Sequence, residues 1–142
     1  MKARFWALAV LMMCSGNVIA DDLANERPPK QGAELGEATY KANCAACHQP
    51  DGKGLQGAFP PLAASDYLLS HKPLDVAGMV LKGITGEITV NGTKYNNVMP
   101  AQSHLSDADI AAVINYVYAS WGNKGGSVAV KDVADLRNSL AV

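Results

Sequence analysis

The spacing of apolar and polar positions changes from segment to segment along this chain. Phe5 to Cys14 is an unbroken apolar run behind Lys2 and Arg4. Asp21 to Gln31 is polar and contains Pro28-Pro29, the pattern of a flexible lead-in. A helical period then runs from Glu34 to Cys47. Glu34 and Glu37 fall in its first turn, where carboxylates complement the helix dipole. Leu35, Ala38, Ala42 and Ala45 mark one apolar line, and Gly36 and Tyr40 mark a second, four residues apart. A mid-helix glycine costs about 1 kcal/mol against alanine, so Gly36 points to another backbone passing close by.

Gln49 to Ala64 has no period and is rich in turn formers, with Pro60-Pro61 stiffening its end. Ser65-Asp66 caps a short helix through Leu69. A longer helix follows, with Pro73 at its first position, Val76, Met79 and Val80 as its buried line, and Gly83 closing it. The period then becomes two. Ile88-Thr89-Val90 and Thr93-Lys94-Tyr95 flank Asn91-Gly92, a hairpin signature, and two such strands need a surface to pack on. Asn96 to Pro100 is irregular. Ser106 and Asp109 form a capping box ahead of a stripe of Ile110, Val113, Ile114, Val117 and Trp121, which Gly122 ends. Asn123 to Ser127 is a glycine-rich linker, and Val133, Leu136 and Leu140 mark a short docking helix.

Composition changes the picture at the N-terminus. The basic residues and the short apolar run, followed by Val18-Ile19-Ala20, read as a signal peptide cut after Ala20. The run is too short to span a bilayer, and Met13 is not the small residue that a lipidation site would place before Cys14. The expected organisation is 1–20 signal peptide, 21–33 flexible segment, 34–122 a single folded domain and 123–142 a C-terminal tail. The mature chain has no transmembrane segment. The formal net charge of −1 becomes two units more negative when Lys2 and Arg4 are removed. With no basic stripe, nucleic acid is excluded as a partner. The helices are short and alanine-rich, and a domain of this size is usually short of buried area. A large apolar group at the centre would make up the shortfall.

Cys44-Ala45-Ala46-Cys47-His48 supplies the chemistry. C-x-x-C-H is a c-type haem attachment sequence. Thiols three apart on a helical turn point the same way and can add across the two vinyl groups of one porphyrin. The imidazole that follows can reach the iron. Loss of Cys14 with the signal peptide leaves these as the only two cysteines. A Cys44–Cys47 disulfide would close a tiny loop and stabilise little. Structural zinc needs four ligands, and a thioredoxin-like pair needs a βαβ setting. The other face of the iron could be met by Met79, Met99, His71 or His104. Met79 lies on a buried helical line and reads as packing, and both histidines read as solvated loop residues. Met99, in an irregular segment held by Pro100, is the expected distal ligand.

From Gly36 to Gly122 the chain resembles a class I c-type cytochrome. The Cys44–His48 motif, Pro60-Pro61-Leu62, Met99-Pro100 and a final helix with Tyr116 carry the resemblance. It implies an all-α cytochrome c fold, about four to five short helices around one covalently bound haem c, with a small β-hairpin before the distal methionine loop. It implies that Gly36 and Tyr40 meet Val113 and Tyr116. A proline carbonyl, Pro60 or alternatively Pro61, would accept the hydrogen bond of His48 and so orient the ring. With His48 and Met99 as axial ligands the protein would be a periplasmic electron carrier rather than an enzyme, serving redox protein partners. The segment Gly86–Pro100 resembles cytochromes of periplasmic denitrification, which implies a nitrite reductase or terminal oxidase as acceptor. Similar segments occur in cytochromes tied to alcohol dehydrogenases, so a haem subunit of a periplasmic dehydrogenase or reductase is the alternative. A di-haem peroxidase would need a second attachment motif. A gas-binding haem bundle carries its motif near the C-terminus, whereas here the motif opens the domain.

Overall fold

The computed structural model describes residues 29–141. The expected signal peptide and the first part of the lead-in lie outside the described residues. The elements are helices α1 (Pro29–Asn43), α2 (Ala45–His48), α3 (Asp66–Ser70) and α4 (Pro73–Lys82), strands β1 (Ile88–Val90) and β2 (Thr93–Tyr95), then helices α5 (Asp107–Ala119) and α6 (Val130–Leu140). The fold is all-α apart from one antiparallel hairpin.

α1 begins at Pro29, five residues before the expected start. Proline is tolerated in the first turn of a helix, where its missing N–H would have had no partner. The helical period also breaks at Cys44, so that α2 is a separate turn. The buried face of α1 is the Gly36–Tyr40 line together with Thr39, while Ala38 and Ala42, on the other line, are exposed. Packing decided this. A Cβ on Gly36 would lie 2.7 Å from Tyr116 Cβ and would collide with the Ala112 carbonyl oxygen. The nearest α5 atoms to this position belong to Ala112 and Tyr116, and Tyr40 and Val113 share one core cluster.

α5 is the central helix. Ser106 Oγ accepts from Asp109 N at 3.1 Å, and Asp109 Oδ2 accepts from Ser106 N at 3.3 Å, completing the capping box. Ile110, Val113, Ile114 and Val117 are buried, and so are Ala111, Ala112 and Tyr118, because α1 covers one side and α4 and α6 another. The helix stops at Ala119. Trp121 lies beyond it with φ +50° and does not continue the stripe. Its ring instead lies against Gly52, tilted on Tyr40 and edge-to-face with Tyr116 at centroid distances of 5.0 and 5.5 Å.

The hairpin has the register read from Asn91-Gly92, with Ile88 opposite Tyr95 and Val90 opposite Thr93. Its tip is tied to α3: Asp66 N donates to Asn91 Oδ1 at 2.9 Å, and Asn91 N donates to Asp66 Oδ1 at 2.7 Å. The C-terminal segment, expected as a tail with a short docking helix, carries α6. α6 packs on α4 and α5 and buries Val133 completely.

Candidate functional site

The site is a cleft of about 1090 Å³, open mouth included. Its lining is almost entirely apolar and is drawn from α2, the loop after it, α3, α4, the hairpin, the 97–100 segment and α5. All five residues expected at the site line it: Cys44, Cys47, His48, Pro60 and Met99.

The backbone around α2 explains the proximal side. Cys47 N and His48 N both donate to Cys44 O, at 3.2 and 2.9 Å. One tight turn therefore carries both thiols and the imidazole. Both cysteines are free and half-buried. Burial pushes the Cys44 thiol up to about 11, with Cys47 adding to the rise. The buried sulfur is therefore held in its neutral form. His48 Nδ1 donates to Pro60 O at 2.9 Å. This selects Pro60 over Pro61, and it leaves Nε2 as the ring nitrogen with no hydrogen-bond partner among the described residues. Burial holds His48 below the ordinary histidine range, partly opposed by the Pro60 bond. The ring is then neutral at pH 7, the form that has a lone pair to give a metal.

The proline loop is itself fixed. Leu55 and Phe59 exchange backbone bonds of 2.8 and 2.7 Å, and Leu62 N and Ala63 N both donate to Gly52 O. Asn123, past the end of α5, donates from Nδ2 to Leu62 O at 2.9 Å and to Val117 O at 2.8 Å. Tyr40 Oη donates to Gln49 O at 2.7 Å, which ties α1 to the first residue after the motif.

On the distal side Met99 is pinned by its backbone: Ile84 N donates to Met99 O at 3.0 Å and Met99 N to Ile84 O at 2.9 Å. Gly83, with φ +76°, lies so close that a Cβ there would be 2.6 Å from Met99 O. Only glycine permits both the conformation and the approach. Met79, expected to pack within the helical core, is half-buried in the cleft wall, where its sulfur accepts from Tyr67 Oη at 3.8 Å. Among the described residues no donor meets the Met99 sulfur. His71, expected to be solvated, stacks on Tyr67 at 4.3 Å and donates from Nδ1 to Tyr67 O at 2.7 Å. It does not line the cleft. His104 is exposed.

Sequence reasoning missed Tyr67, Phe59, Tyr95 and Ser65 as lining residues. Each sits on a short helix, loop or strand end with no period of its own, and only the fold brings them to one cavity. The residues present fit a haem: two adjacent thiols, an oriented neutral imidazole and apolar walls that would exclude water from its faces.

Among the described residues no helix is long and apolar enough to cross a membrane. A family profile described as cytochrome c matches residues 33–121. The chain is 42% identical over 94 residues to a cytochrome c-552 of Thermus thermophilus, covering 64% of either protein. A second Thermus thermophilus cytochrome c-552 is 44% identical over 89 residues, 61% of this chain and 68% of that one. The cytochrome c subunit of a quinone alcohol dehydrogenase from Gluconobacter oxydans is 36% identical over 108 residues, 75% of this chain and 22% of the subunit. The chain thus spans under two thirds of the first relative and a small part of the dehydrogenase subunit.

Proposed function

The chain belongs to the cytochrome c family, and from that premise we propose that it is a mono-haem electron carrier of an exported compartment, ligated by His48 and Met99 and serving redox protein partners. As a family member it carries one haem c, covalently attached, and it acts in electron transport. The haem supplies a one-electron ferric/ferrous couple when bound. The residues of this chain do the rest. Cys44 and Cys47 hold the group through thioethers. Pro60 O orients His48 through Nδ1 and raises its basicity as a ligand. Leu68, Val80, Ile114 and Val117 keep water from the cleft.

The observation that carries the reading is the pinned Met99. It lines the same cleft as His48, its backbone is locked to Ile84 on both sides, and its sulfur is uncommitted. Met79, the rival thioether, accepts from Tyr67. With His48 and Met99 both holding the iron, no position would be left for a substrate, which favours a carrier over an enzyme. The test is spectroscopic. The wild type gives a low-spin six-coordinate spectrum in both oxidation states and does not bind carbon monoxide. Met99→Ala loses that spectrum and binds it. Ready carbon monoxide binding by the reduced wild type would end the carrier reading.

A second reading, a haem domain serving a dehydrogenase, is favoured by the likeness to the alcohol dehydrogenase subunit. The free carrier is preferred because the likeness to cytochrome c-552 is higher in identity and covers far more of that relative. Export after cleavage at Ala20 belongs to the same proposal, and N-terminal sequencing of the secreted protein tests it. A nitrite reductase as acceptor rests on the Gly86–Pro100 resemblance alone. Reduced protein mixed with such a reductase or with a terminal oxidase is oxidised quickly by the true acceptor and slowly by the other.

A further inference from the structure

The segment from Met99 to Ser106 has no helix or strand of its own, yet it places the proposed distal ligand. Its backbone is tied at Met99 to Ile84 and at Gln102, whose N–H donates to Val80 O at 2.9 Å. Gln102 Nε2 also donates to Pro100 O at 3.2 Å. Beyond Gln102, Leu105 N donates back to Gln102 O at 3.1 Å, and further ties come from α6. Arg137 Nη1 donates to Ser103 O at 2.8 Å, Nη2 to Leu105 O at 2.6 Å, and Nε to Asp107 Oδ1 at 2.6 Å. The arginine side chain is 18% exposed and the aspartate 30%. One planar guanidinium therefore grips two carbonyls of the segment and the first residue of α5 at once, a geometry that lysine cannot reproduce. α6 lies outside residues 33–121, the part matched by the family profile.

We propose that Arg137 is a positioning residue for the distal ligand: by clamping Ser103 and Leu105 from α6, it keeps the Met99 segment seated and Met99 on the iron. This rests on Met99 being that ligand. The clamp acts by restricting the segment. Movement of the segment with Met99 would be opposed by two charge-assisted hydrogen bonds, to Ser103 O and Leu105 O, while the bond to Asp107 anchors the guanidinium on α5. α6 is also held by apolar packing, with Val133 fully buried and Leu136 and Leu140 against the core.

The test uses holoprotein variants and external imidazole, which competes with Met99 for ferric iron. Arg137→Gln should bind imidazole about tenfold more tightly than wild type, the factor that one such hydrogen bond is worth. Arg137→Lys should fall between the two, and it carries the comparison if Arg137→Gln does not accumulate. Val133→Ala loosens α6 packing without touching the clamp, so it should lower denaturant stability while leaving imidazole affinity at the wild-type value. Unchanged affinity in both Arg137 variants overturns the proposal. So does an equal shift in Val133→Ala at equal loss of stability, because Arg137 would then be acting through global stability alone. Met99→Ala separates the underlying assignment. It should abolish the red sulfur-to-iron charge-transfer band. Persistence of that band would remove Met99 as the ligand and the clamp with it, whereas its loss with unmoved Arg137 variants removes the clamp only.

Discussion

At Gly36 a hydrogen in place of a methyl group decides how closely α1 and α5 approach. Gly36→Ala gains helix propensity but drives a Cβ into the Ala112 carbonyl. The backbone cannot give way as a flexible side chain can, so the variant should lose about 1–3 kcal/mol in urea denaturation. The glycine was legible in the sequence as an anomaly, while the Ala112 carbonyl it meets was not, because that contact depends on how the two helices are rotated. Tyr40 beside it is 1% exposed. Burial, reinforced by Cys44, Tyr116 and Asp51, raises its phenol far above the usual tyrosine range, and burial together with Asp75 raises Tyr118. Both folded-state shifts are upward and the charged form is the deprotonated one. The folded chain therefore keeps protons that the unfolded chain releases above about pH 10. Their contribution is full below that pH and is lost as pH rises through it. In denaturation midpoints followed from about pH 8 to pH 11, Tyr40→Phe should start below wild type, having lost the Gln49 hydrogen bond, and the gap should close on the alkaline side.

Among the elements, the hairpin and α5 show how local signals and packing divide the work. Asn91-Gly92 and the Ser106/Asp109 box were readable because turn and cap chemistry is local. Ser106→Ala should cost about 1 kcal/mol of global stability, measured by thermal or urea unfolding. The Asp66–Asn91 pair was not readable, since 25 residues separate its members. Asn91→Ala should free the amides of β1 and β2 for faster hydrogen exchange while leaving those of α5 protected, because the pair ties only the hairpin tip to α3. The spacing marked two lines on α1 without ranking them, because exposed alanines look as apolar as a core line; the structure buries the Gly36–Tyr40 line. The spacing also ran α5 too far, because Trp121 keeps the spacing of the stripe after the helix has ended. α6 was seen as a docking helix but assigned to a tail. Its three apolar positions gave no sign of Arg137, whose partners lie some thirty residues upstream.

Beside the closed core where α5 meets α1, α4 and α6, the whole molecule is built around a cleft. Residues from nearly every described element turn apolar surface toward it, and that surface has nothing to pack on without the covalent group. Replacing both Cys44 and Cys47 by alanine should leave a chain with much reduced helical circular dichroism and no cooperative thermal transition. A retained sharp transition would mean that the helices pack without the haem. By itself the sequence determined the Cys44–His48 motif, the helix caps, the hairpin register and the two thioethers from which the distal ligand is proposed, because each depends on neighbours a few residues away. Only the tertiary structure decided the rest. It chose Pro60 over Pro61 through a 2.9 Å bond to His48, gave Met79 to Tyr67, set Gly83 against Met99, and closed Arg137 over the segment that carries it. These depend on how far apart two distant stretches of chain come to rest, and packing around a shared centre sets that distance where residue spacing does not.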